Sequence, residues 1–100
     1  MSKVTLVTIS DQLLQIKRQL RRLFSHAENG SDISRALGEF TDRLFTLLRK
    51  DVLKFLYQDD VPFSAKKAIF DIIQKTGKEI LNEYTQAQVD AVNAHAHDDP

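Results

Sequence analysis

Apolar residues recur at alternating spacings of three and four along the first quarter of the chain. On a helix of about 3.6 residues per turn, this spacing places them on one narrow stripe. A stripe this regular needs a partner helix, either in this chain or in another. The pattern therefore predicts a first helix from about Ile9 to about His26. A loose arm over residues 1–8 precedes it, and an early start of the helix within Val4 to Ile9 is the alternative. The stripe consists of Leu6, Ile9, Leu13, Ile16, Leu20, Leu23 and Ala27.

A second helical segment is predicted from Ser31 or Asp32 toward Tyr57, and it is apolar on two sides. A helix of this kind is normally central in a bundle or buried in an oligomer. Asp51 falls in the middle of the first side, where an unpaired carboxylate would be costly. Either Asp51 caps a separate short helix over residues 52–57, or the helix is continuous and Asp51 faces a core. The first side comprises Ile33, Leu37, Phe40, Leu44, Leu47, Leu48 and Phe55, and the second comprises Phe45, Val52, Leu53 and Leu56.

A third helical segment follows Pro62, and its apolar face weakens to alanine and valine beyond Tyr84. The last residues, 94–100, are polar and are expected to fray. The face comprises Ile69, Ile72, Ile73, Thr76, Ile80, Tyr84, Ala87 and Ala91. We therefore predict one all-α domain over residues 1–100. It is a small antiparallel bundle of three helices, or of four if the second segment breaks near Asp51.

Composition narrows the chemistry that this domain can perform. The 100 residues are 42% hydrophobic and 28% charged, which is typical of a globular fold, and they include no cysteine. Disulfides, thiol catalysis and thiolate metal sites are therefore excluded. The chain carries no signal-like segment and no apolar run of the roughly 20 residues that a membrane span needs, so a cytoplasmic location is expected.

A basic cluster lies on the first predicted helix, opposite its apolar stripe. It consists of Lys17, Arg18, Arg21 and Arg22. Because these side chains are expected to point away from a partner helix, they suggest a nucleic-acid-binding regulator as one alternative function. A solvated outer face is the favoured interpretation, since the net charge is zero and the pI of 6.8 lies below the value of about 9 that is usual for nucleic-acid-binding domains.

Catalytic and metal-binding patterns are weak in this sequence. His95, His97 and Asp98 have donor types that bind divalent cations, but they lie in the expected frayed tail and would not be preorganised. The sequence has no glycine-rich phosphate loop and no nucleophile next to a general base. We therefore predict a protein that is not an enzyme and that needs no cofactor or metal. Gly38 and Gly77 interrupt helical patterns, and close approach of another helix is one explanation for them.

The apolar residues exceed what three helices can bury if each helix buries one stripe. Some of the surplus should remain exposed in a monomer, and large exposed apolar patches usually mark interfaces. The candidates are Phe45, Leu53, Leu56 and Phe70. We therefore predict a protein–protein interaction module of the inhibitor, chaperone or immunity type, with an unidentified protein partner and a tendency to form homodimers.

One stretch resembles a known family. The run from Asp51-Val52-x-x-Phe55 through Val61-Pro62-Phe63-Ser64, followed by a helix carrying Ile69, Ile72 and Ile73, is similar to the last helical hairpin of the small bacteriocin immunity proteins. The resemblance covers less than half of the chain, and it implies a four-helix bundle with an immunity function. The span from Ser31 to Phe63 is shorter than the middle helices of that family.

Overall fold

The computed structural model describes the backbone of residues 4–98 and the side chains of residues 4–93. Helix α1 spans Leu6–Ser25, α2 spans Gly30–Leu47, and α4 spans Phe63–Asp98. A π-helical turn at Leu48–Val52 joins α2 to the single turn of α3, Leu53–Leu56, with helical backbone angles throughout. The described part of the chain contains no strand, and it forms the predicted all-α bundle with three helical rods.

Helix α1 begins earlier than the sequence pattern predicts. Thr5 is the N-cap, because its hydroxyl oxygen accepts the backbone N–H of Thr8 at 3.2 Å. The Thr8 hydroxyl in turn accepts the backbone N–H of Thr5 at 2.8 Å, which completes a capping box. The predicted loose arm over residues 1–8 is therefore wrong for Leu6 to Thr8, which are helical. Residues 1–3 lie outside the described part of the chain.

The apolar stripe of α1 finds its partners within this chain. Ile9, Leu13 and Leu20 are buried, and α1 packs against both α2 and α4. Except for Ile33, the buried side chains of the described residues form two clusters, one toward each end of the bundle. The first cluster contains Ile9, Leu13, Leu47, Val52, Phe55 and Ile69. The second contains Leu20, Ala36, Phe40 and Ile80. Because the stripe is covered internally, it provides no argument for a dimer.

The π-helical turn resolves the position of Asp51. The backbone N–H of Leu53 donates to the carbonyl of Leu48, five residues earlier, where a regular α-helix would bond four residues earlier. The extra residue lets Leu47 and Val52, five apart, both enter the core. In a regular helix Asp51 would occupy the position that Val52 takes. Asp51 is instead partly exposed, makes no capping hydrogen bond to α3, and starts no separate helix.

Helix α4 is the long rod of the bundle. Ile69 and Ile80 are buried at 0% and 3% exposure, and each belongs to one of the two core clusters. The backbone is helical through Asp98, so the helix extends beyond residue 94, where the sequence predicts a frayed end. Residues 99–100 lie outside the description. The Lys17–Glu79 and Arg21–Glu83 ion pairs show that α4 runs parallel to α1, since both partners advance by four residues.

Candidate interaction surface

The basic cluster of α1 is divided between two environments. Lys17 forms an ion pair with Glu79, and the Nε of Arg21 lies 2.6 Å from Oε1 of Glu83. Arg18 and Arg22 are exposed. The prediction that all four side chains point away from neighbouring helices is therefore wrong. The reason is that α1 contacts both α2 and α4, so its packed surface is wider than the apolar stripe and includes one flank of basic residues.

The ion pairs also affect the acidic residues of α4. The hydrogen bond from the Lys17 ammonium, together with the positive charges of Lys17, Lys75 and Arg21, holds the pKa of Glu79 below its ordinary value. The two ion pairs thus align α4 with α1 and neutralise half of the basic cluster. Arg18 and Arg22 are exposed and take no part in these two ion pairs, and we expect two cations to attract a phosphate backbone weakly.

A cleft of about 380 Å³ lies where the end of α1 meets α4. Its walls include Phe24 and Ile33, and Arg21 pairs with Glu83 beside them. The cleft also contains Ser25, whose hydroxyl donates to the backbone carbonyl of Arg22 at 2.7 Å and not to a carboxylate. The Ser25 hydroxyl thus bonds to the backbone of α1 and is not paired with a general base.

Three of the four predicted interface residues are strongly exposed. The exposed fractions are 62% for Phe45, 46% for Leu53 and 59% for Phe70, whereas Leu56 is partly buried against the first core cluster. Leu81 is 63% exposed and was not predicted. Its signal in the sequence is the spacing of eleven residues from Phe70, because eleven residues make about three helical turns and return to the same stripe.

These exposed residues share one side of the bundle. Arg43 of α2 donates a hydrogen bond to Gln19 of α1, and Phe45 lies about 160° around the helix from Arg43. Leu81 lies two residues from each of Glu79 and Glu83, which contact α1, so it too points about 160° away from α1. In a three-helix bundle, the sides of α2 and α4 that face away from α1 form a single surface.

We call this surface the α2–α4 face. Leu53 belongs to it because the π-helical turn absorbs one of the eight residues that separate it from Phe45, leaving the two on roughly the same stripe. Gly38 and Gly77 also belong to it, seven residues before Phe45 and seven residues after Phe70. We call α2, the π-helical turn and α3 together the second rod. The face thus comprises Gly38, Phe45 and Leu53 from the second rod, and Phe70, Gln74, Gly77 and Leu81 from α4, all of them exposed.

The two glycines leave open space on this face. A Cβ atom built on Gly38 or on Gly77 would have no neighbouring atom within 4 Å. Among the described residues, no other helix therefore approaches Gly38 or Gly77 closely, and the explanation by close approach within the fold is wrong. Since a helical glycine costs up to about 1 kcal/mol relative to alanine, the open positions make the α2–α4 face accessible to a second helix without serving the fold itself.

Other features of the described residues give no further site. None of the described helices combines the length and the apolar character that crossing a membrane requires. Within the same part of the chain, no group of three or more His, Asp or Glu side chains could hold a metal ion. The side chains of His95, His97 and Asp98 lie outside the description.

Comparisons with known proteins give no relative for this chain: no protein-family model, no curated protein and no solved structure matches it. The similarity to the bacteriocin immunity hairpin thus rests on the residues from Asp51 to Ile73 alone. That family forms four-helix bundles, whereas the described chain forms three helical rods.

Proposed function

We propose that this protein is a non-enzymatic protein–protein interaction module that binds through its α2–α4 face. The observation that supports the proposal best is the cluster of large apolar side chains on one side of the bundle, with Phe45, Phe70 and Leu81 each about 60% exposed. Burying the exposed part of such side chains stabilises a complex by about 1 to 2 kcal/mol each, before the costs of association are subtracted. Aromatic residues of this kind commonly dominate binding energy at interfaces.

The composition of the face favours a protein partner over a nucleic acid. Its centre is apolar, and charged residues lie along its rims, which is the usual anatomy of a protein interface. The exposed cations of the basic cluster, Arg18 and Arg22, lie on α1, away from this face. A cytoplasmic location and a tendency to self-associate are parts of the same proposal.

The experiment compares the wild-type chain with a variant that carries Phe45→Glu and Phe70→Glu. Both positions are exposed, so the variant should keep its fold, which circular dichroism would verify. Leu14→Glu is the matched control, because Leu14 is 41% exposed on α1, on the stripe of Arg21, and so lies outside the α2–α4 face. Each chain is immobilised and used to capture proteins from an extract of the native source, and its mass in solution is measured by light scattering.

We expect the wild-type chain and the Leu14→Glu control to bind a protein, either a second copy or another chain, and the double variant to lose it. If neither self-association nor protein capture depends on Phe45 and Phe70, the proposal is wrong. Recovery of nucleic acid in place of protein, abolished by Arg18→Glu with Arg22→Glu, would instead support the nucleic-acid alternative.

A further inference from the structure

We propose that the α2–α4 face binds a second copy of the same chain, with the helices of the two copies antiparallel across a twofold axis. The inference rests on the proposed function and specifies the occupant and its alignment. In a twofold interface the same surface is used twice, so each residue must be complementary to the one that symmetry places opposite it. The arrangement of glycines, large apolar residues and charges on this face meets that condition.

On the second rod, the complementarity is centred on Phe45. Gly38 lies seven residues before it, and Leu53 lies eight residues after it, one of which the π-helical turn absorbs. Around an axis at Phe45, Leu53 of the second copy therefore lies over Gly38. The open space at Gly38 accommodates that side chain, since no atom lies within 4 Å of the Cβ position.

The outer rim of the second rod carries opposite charges around the same centre. Asp42 lies three residues before Phe45 and Arg49 lies four residues after it, and both are exposed. Neither residue takes part in the ion pairs found between described residues of the chain. An antiparallel second copy brings Arg49 opposite Asp42, and symmetry repeats the pair at the other end of the interface. A parallel copy in the same alignment would instead bring Asp42 opposite Asp42.

Helix α4 shows the same pattern, centred near Gln74. Phe70 lies four residues before Gln74 and Gly77 three residues after it, so Phe70 of the second copy lies over the open space at Gly77. On the outer rim of α4, Asp71 and Lys78 are exposed three residues before and four residues after the same centre. The second copy therefore brings Lys78 opposite Asp71.

The two centres lie at about the same height in the bundle, as a single twofold axis requires. Gly30 of α2 lies next to Gln88 of α4, and Phe40 packs in one cluster with Ile80. Because α2 and α4 are antiparallel, the residue five positions after Phe40 lies level with the residue about five positions before Ile80. Phe45 therefore lies within one helical turn of the height of Gln74. The second rod and α4 thus carry two separate self-complementary patterns, and both patterns are centred on the same twofold axis. Binding to a partner of unrelated sequence would require no such symmetry.

The size of the face sets the expected affinity. From Gly38 to Leu53 it is about 22 Å long, and it is two helices, or about 20 Å, wide. The projected area of roughly 450 Å² per copy, or about 900 Å² in total, is below the roughly 1,200 Å² of stable interfaces and typical of weak ones, so we expect dissociation in the high micromolar range. Measurements should therefore cover chain concentrations from about 5 to 500 µM.

The test exchanges the charges of the rim. Asp42→Arg and Arg49→Asp, made singly, each place like charges opposite one another twice per dimer and should weaken dimerisation about tenfold in low salt. The double variant exchanges the charges and should recover the wild-type dissociation constant to within about threefold. Glu39→Arg is the matched control. Both Asp42 and Glu39 border the groove between α1 and α2, but Glu39 lies about 60° further around α2 from the α2–α4 face.

Cysteine cross-linking tests the same alignment independently, since the chain contains no cysteine of its own. Gln74→Cys lies next to the proposed axis and should form a disulfide with the second copy on mild oxidation, whereas Arg18→Cys on the outer side of α1 should not. If the wild-type chain is a dimer but the charge exchange fails to restore binding and Gln74→Cys fails to cross-link, the alignment is wrong. If the wild-type chain is monomeric at 500 µM, the second copy is not the occupant. The proposed function then depends on whether another protein is captured through Phe45 and Phe70.

Discussion

Replacing Gly38 and Gly77 with alanine should stabilise the fold and weaken the dimer. An alanine inside a helix is favoured over glycine by about 0.8 to 1.0 kcal/mol. Nothing in the fold offsets this gain, since the added Cβ atom at either position meets no atom within 4 Å. Each single variant should therefore raise the free energy of unfolding by about 1 kcal/mol, and the double variant by about 2 kcal/mol. For a domain of this size, 1 kcal/mol corresponds to an increase of roughly 4 to 8 °C in Tm.

The assay is urea denaturation at low micromolar concentration, where the monomer predominates, followed by a dissociation constant from light scattering at higher concentration. Gly30→Ala is the control, because Gly30 begins α2 and its Cβ would lie 3.4 Å from the Gln88 side chain, so little gain is expected. In the dimer, the new methyl groups occupy the space assigned to Leu53 and Phe70 of the second copy. A loss of monomer stability would refute our description of the face, and an unchanged dissociation constant would refute the placement of the glycines in the interface.

Three further predictions concern the fold. Ile69→Ala should lower the free energy of unfolding by about 2 to 5 kcal/mol in chemical denaturation, because Ile69 is fully buried, and a smaller loss would show that the core collapses around the change. Deleting Asp51 should leave the stability nearly unchanged, since it converts the π-helical turn to a regular one, whereas deleting Asp42 turns Leu44 and Leu47 by about 100° away from the core and should lower the free energy of unfolding much more. Glu79→Gln should reduce stability most near neutral pH. Because the folded-state pKa of Glu79 is lowered, its carboxylate contributes to stability above the ordinary pKa of 4.5, and this contribution is lost as the pH falls through the folded value. A stability difference between the variant and the wild type that grows in acid would contradict the ion pair.

The main helices could be predicted because their apolar spacing is long and regular. The stripe on α1 fixed its buried side, and Ile9, Leu13 and Leu20 are buried as that stripe requires. The start of the helix was misplaced because Val4 to Ile9 are largely β-branched, and the reciprocal hydrogen bonds of Thr5 and Thr8 outweigh that weak preference.

The anomaly at Asp51 was a correct signal with an incorrect explanation. A polar residue in the middle of an apolar stripe indicates that the core-facing positions shift by about one residue along the sequence. Both a helix break and a π-helical turn produce such a shift. Sequence spacing cannot separate these two causes, because each inserts about one residue into the pattern. The structure shows the π-helical turn, and it leaves Asp51 in the groove between α1 and α2.

The surface was predictable only in part. The excess of apolar residues identified Phe45, Leu53 and Phe70, but it could not show that two different rods place them on one side, because that depends on how three helices are arranged. The misplaced basic cluster has a different cause, because its error is visible in the spacing. Lys17 lies four residues after Leu13, so Lys17 and then Arg21 follow the flank of the apolar stripe and reach α4. Arg18 and Arg22 lie opposite the stripe.

The central claim, that the α2–α4 face is an interaction surface between two copies of the chain, is tested most directly by following backbone amide signals in NMR spectra as the wild-type protein is diluted from about 500 to 5 µM. The account predicts concentration-dependent shifts at Phe45, Leu53, Phe70 and Leu81, with none at Val7 and Leu14, which are exposed on α1 outside that face. Shifts confined to α1, or spectra that do not change across the dilution, would contradict it.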